Sequence, residues 1–95
     1  MNLYEKIRKG FAIVIVNPKN GNLEWLFDKE GRTFTHTCLI TVLTEHLGWT
    51  YGDSLLFRKA GDLFEVLDED HYPLATIGKK LAVSFRKTPY AKFIY

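Results

Sequence analysis

A chain of 95 residues and 11.0 kDa, 46% hydrophobic and 15% aromatic, is long enough for one domain with its own core and too apolar for a disordered segment. Its net charge of +2 neither requires nor excludes a nucleic-acid partner. A lone cysteine, Cys38, excludes an internal disulfide and fits a reducing, cytoplasmic setting.

Residues 2–9 pattern as a short helix, with Leu3 and Ile7 on a common face and Gly10 ending it. The start of the chain has no apolar signal core. The longest apolar run, Phe11–Val16, is far too short to span a membrane. That run is β-branched and reads as a strand buried on both faces. Asn17–Asn22 is dense in turn formers, and its Asn20-Gly21 step marks a hairpin returning through Leu23–Phe27. Asp28–Arg32 then forms a turn and Thr33–Thr37 a third strand, so the first third reads as a meander.

Two endings of that third strand are open. Thr37 caps a helix beginning at Cys38, or the strand continues to Ile40 and Thr41 is the cap. Either way Leu39, Val42, Leu43, His46 and Leu47 share a face at helical spacing, and Gly48 stands where a helix wants a residue of positive φ at its end. Tyr51-Gly52-Asp53 is a turn, Ser54–Arg58 a strand, Lys59–Asp62 a turn and Leu63–Leu67 the antiparallel return. Asp68–Pro73 is an acidic connection. Leu74–Ile77 and Leu81–Arg86 read as two further strands, and Ala91–Tyr95 as an edge strand or a docked tail.

Charge is unevenly spread. Residues 74–95 carry Lys79, Lys80, Arg86, Lys87 and Lys92 with no acid, while residues 62–70 carry Asp62, Glu65, Asp68, Glu69 and Asp70 with no base. The basic set is interleaved with Phe85, Tyr90, Phe93 and Tyr95, a mixture that suits phosphate contact with base stacking on a strand surface. The plainer reading makes the aromatics core and the lysines guards of an edge strand. The N-terminal cations Lys6, Arg8, Lys9, Lys19, Lys29 and Arg32 are diluted by Glu5, Glu24, Asp28 and Glu30 and read as ordinary surface.

The central stretch, Leu39–Leu67, resembles the swapped-hairpin DNA-binding domains of AbrB-type regulators and MazE-type antitoxins. The resemblance lies in Leu43-Thr-Glu-His-Leu-Gly-Trp49 as the helix end, Trp49-Thr-Tyr-Gly-Asp53 as the turn and Ser54–Leu67 as the hairpin. It covers about thirty residues. Ile40-Thr41 stands where that family typically has a proline, and Val42 and Thr44 where charges are common. The resemblance implies an intertwined homodimer with a shared barrel-like core, contacting DNA from loop and hairpin positions that here hold Arg32, Arg58 and Lys59.

Nothing in the chain forms a catalytic or metal motif. His36 and Cys38 would share one face of a strand, but zinc calls for about four ligands in paired spacings. Asp68-Glu69-Asp70-His71 lacks the spaced carboxylates and central glycine of a calcium loop. Ser54 and Ser84 lie outside any nucleophile elbow. No metal, cofactor or enzymatic activity is therefore expected.

The expectation is one mainly β (α+β) domain spanning 1–95: a compact sheet or barrel of six to seven strands with one short helix near 41–47. Leu43, Leu47, Trp49, Phe57, Phe64 and Val66 should lie in its core or dimer interface. The expected function is a cytoplasmic, homodimeric DNA-binding transcriptional regulator. It would meet double-stranded DNA through Arg32, Arg58, Lys59, Lys79, Lys80, Arg86, Lys87 and Lys92. The alternative is a protein-binding inhibitor or adaptor of the phage type, docking on a host protein through Tyr90, Phe93 and Tyr95.

Overall fold

The computed structural model describes residues 1–94. Helix α1 (Leu3–Arg8) is capped by Asn2, whose side chain accepts from the Glu5 N–H at 2.9 Å. Strand β1 (Ala12–Val16) and strand β2 (Leu23–Phe27) form an antiparallel hairpin with Val14 opposite Trp25. The Asn17 and Asn20 side chains fold back onto the backbone N–H groups of Lys19 and Asn22, which fixes the connecting turn.

The third strand expected at Thr33–Thr37 is absent. Thr35 instead caps helix α2 (His36–Glu45), its hydroxyl accepting from the Cys38 N–H at 3.2 Å. Phe34 spends its own N–H on the Gly10 carbonyl at 2.7 Å. A side-chain acceptor at the helix start, satisfying an N–H of the first turn, favours helix. Thr41 is therefore interior to the helix, where its hydroxyl donates to the Thr37 carbonyl. After the helix, Gly48 at φ +72 turns the chain so that the Trp49 N–H reaches the Leu43 carbonyl at 2.9 Å.

The chain then runs through strands β3 (Leu55–Ala60), β4 (Leu63–Leu67) and β5 (Pro73–Gly78), all antiparallel in sequence. The strand expected at Leu81–Arg86 is likewise replaced, by helix α3 (Lys79–Val83) and a run of turns closing at Thr88. Its buried residues Leu81, Ala82 and Phe85 recur at helical spacing. At Gly78, the last residue of β5, α1 packs against the backbone: a Cβ there would collide with the Ile7 carbonyl oxygen and sit 2.9 Å from that of Arg8. Strand β6 (Ala91–Phe93) closes the sheet parallel to β3, at the edge where a strand or docked tail was expected.

Over the described residues the domain is mainly β with a little helix: one six-stranded mixed sheet in the order β2-β1-β5-β4-β3-β6 and three short helices rather than one. One face carries Ile13, Ile15, Phe57, Phe64, Val66 and Ile77 beneath α2 and the α3 region, and Leu43, Leu47, Trp49 and Phe85 complete this core. Burying each such side chain is worth about 1.5–3 kcal/mol. The opposite face holds a smaller cluster of Ile7, Ala12 and Val14 under α1. Among the described residues no helix is long and apolar enough to cross a membrane.

Candidate nucleic-acid interface

Four of the expected contact residues converge. Lys59 near the end of β3, Lys79 and Lys80 at the start of α3 and Arg86 just beyond it line one surface cavity of about 700 Å³. Arg8, from the last turn of α1, joins them, and Gly61, Asp62, Phe64 and Val83 complete the wall. The close packing of α1 on Gly78 is what brings Arg8 in. Arg8 was indistinguishable in sequence from the mixed-charge surface around it. Only the packing of α1 on a side-chain-free position could have signalled its place.

The electrostatics of the cavity are one-sided. Among the described residues Arg8, Lys59, Lys79 and Lys80 make no ion pair. The Arg86 guanidinium lies 5.3 Å from the centre of the Phe93 ring, a cation–π contact. The acid on the wall, Asp62, accepts a hydrogen bond from the Tyr4 hydroxyl at 3.0 Å. That bond, with a smaller contribution from burial, raises the Tyr4 phenol above its ordinary pKa. Phe64, the one aromatic on the wall among the described residues, is 4% exposed and offers no face to a base. The cavity is suited to holding negative charge and not to stacking.

The other expected cations are elsewhere. Arg58 projects from the opposite face of β3 and pairs with Glu65, its cross-strand neighbour, at 3.2 Å. Arg32 is held by Asp28 and Glu30, each at 3.3 Å. Lys92 shares its register position with Leu56, on the same face as Arg58. Lys87 is exposed outside the cavity wall.

The aromatic set proposed for a protein partner is largely internal. Tyr90 is 8% exposed, its hydroxyl lies 3.3 Å from His36 Nε2, and desolvation pushes its phenol up. Phe93 is half-buried and stacks on Phe57 with ring centres 4.9 Å apart. Tyr95 lies outside the described residues.

His36 and Cys38 do not share a strand face; both stand in the first turn of α2. The Thr35 hydroxyl donates to the Cys38 sulfur at 3.2 Å and lowers the thiol pKa, with the backbone bond to the same residue acting in the same direction. Among the described residues no group of three or more His, Cys, Asp or Glu side chains is placed to hold a metal ion. Asp68 accepts from the N–H groups of Asp70 and Tyr72, both at 2.9 Å, which ties the acidic connection into a compact turn. This turn borders a different, smaller cavity with Asp53, away from the basic one. Comparison with protein-family models, curated proteins and solved structures finds no match to this chain.

Proposed function

We propose that the protein is a small, non-enzymatic DNA-binding regulator that acts as a homodimer and seats backbone phosphates of duplex DNA in the basic cavity. The observation that carries this reading is the convergence of Arg8, Lys59, Lys79, Lys80 and Arg86, from separate elements, around one concavity. Arg8, Lys59, Lys79 and Lys80 make no ion pair among the described residues and keep their charge available, and release of condensed counterions from DNA rewards phosphate contact. Among the described residues the wall offers no exposed aromatic ring, which favours a duplex over a single strand. The α2–Gly48–Gly52-Asp53–hairpin segment, with its likeness to AbrB- and MazE-type domains, supports a regulatory role.

Lysine acetylation footprinting tests the assignment. With duplex DNA present, Lys59, Lys79 and Lys80 should lose most of their reactivity toward an acylating reagent, while Lys19 and Lys92 keep theirs. Uniform reactivity with and without DNA would refute the proposed surface. A second reading, an inhibitor that docks on a host protein by strand addition, draws on β6, whose outer side pairs with no other strand among the described residues. It would be favoured by that uniform result.

A further inference from the structure

The opposite edge of the sheet carries a different feature. Strand β2 presents Leu23, Trp25 and Phe27 on one face, and they are 67%, 43% and 48% exposed. Together they leave roughly 300 Å² open to water per copy, comparable to the largest apolar patch of a typical monomer. The strand has none of the usual guards of a free edge: no lysine, proline, glycine or bulge, and one charge, Glu24, which is held by the Asn17 side-chain amide at 2.8 Å. The far edge, β6, is by contrast short and carries Lys92.

The backbone of β2 is arranged for a partner. The Asn17 N–H donates to the Asn22 carbonyl at 2.8 Å. In an antiparallel ladder the groups facing the neighbour alternate, so Glu24 and Leu26 aim their N–H and C=O at β1. Leu23, Trp25 and Phe27 therefore aim theirs outward. The residues that expose apolar side chains are also those with free backbone groups.

We propose that β2 pairs with β2 of a second copy, antiparallel, about a two-fold axis through Trp25. In that register Trp25 meets Trp25 of the other copy, and Leu23 of each copy lies opposite Phe27 of the other. Every outward N–H and C=O of the strand then gains a partner, and the apolar side chains form one continuous patch. Glu24 falls opposite Leu26, so no like charges meet. Pairing sets the apolar side chains of both copies beside each other on one sheet face and shields their flanks, which with the backbone edges makes an interface of the small, weakly associating class. Self-complementarity under a two-fold axis is what selects a second copy over another partner. The proposal rests on the homodimeric part of the functional reading and supplies its interface. Its test contains no DNA, so failure of the dimer and failure of nucleic-acid binding are read separately.

Sedimentation equilibrium of the full chain at about 100 µM should give twice the 11.0 kDa chain mass. Leu23→Lys and Phe27→Glu should each weaken the dimer at least about ten-fold, since each puts a charge against an apolar neighbour. The double variant Leu23→Lys/Phe27→Glu should dimerise more tightly than either single variant, because the new charges face each other across the axis. Trp25→Pro should yield a folded monomer by circular dichroism, its lost N–H being an outward one. A monomeric wild type would overturn the proposal, as would a dimer untouched by the single variants or a double variant no better than either single.

Discussion

At the scale of single residues, Thr35 and Gly78 decide more than their size suggests. Thr35 ends the loop after β2, caps α2 and holds the Cys38 thiol through its hydroxyl. Thr35→Val should cost about 1 kcal/mol of stability through the lost cap. It should also move the pH profile of Cys38 alkylation to higher pH, because the donor that favours the thiolate is gone. The sign for stability follows: a thiol pKa lowered on folding adds stability above the unfolded-state pKa, and that gain is lost as pH falls through the folded value. An unchanged alkylation profile in the variant would show that the bond does not govern the thiol. Gly78 permits α1 to lie on the sheet, with the Arg8 carbonyl 2.9 Å from where a Cβ would be. Gly78→Ala should therefore cost about 2 kcal/mol, or on the order of 10 °C in Tm for a domain of this size. A variant melting with the wild type would mean that α1 yields freely.

At the scale of elements, legibility followed local signals. The β1–β2 and β3–β4 hairpins were readable from apolar, β-branched runs and turn chemistry, and β2 and β4 begin and end where the pattern places them. The start of α2 was not, because its threonines are cap residues and strand formers alike. Which role wins depends on whether a strand edge is near. The α3 region failed for a related reason: Leu81, Val83 and Phe85 satisfy a period of two, yet Leu81, Ala82 and Phe85 also satisfy a helix. The structure takes the helical option, with Leu81, Ala82 and Phe85 all turned into the core. The tail is part of the core, since Tyr90 is buried and Phe93 stacks on Phe57. Removal of residues 88–95 should therefore lower Tm markedly, by at least the several kcal/mol that loss of a buried aromatic costs. A truncated chain as stable as the full one would contradict that packing.

At the scale of the whole molecule, the basic C-terminal third was legible as a charge imbalance, but its convergence with Lys59 and Arg8 was not. Lys59 comes from a hairpin tip and Arg8 from the first helix, and only the sheet order brings them beside α3. The same order leaves β2 as a bare edge at the other side, so the phosphate-binding and dimer-forming surfaces proposed here are separate and can be altered independently. The most direct test of the central claim is fluorescence anisotropy of a labelled duplex titrated with protein at several salt concentrations. The account predicts binding whose log–log salt slope is about −4 for the wild type. In the Lys59→Ala/Lys79→Ala/Lys80→Ala/Arg86→Ala variant the slope should fall toward about −1, and in Arg58→Ala it should not change. No salt-dependent binding by the folded wild type, or equal binding by the four-fold variant, would contradict it.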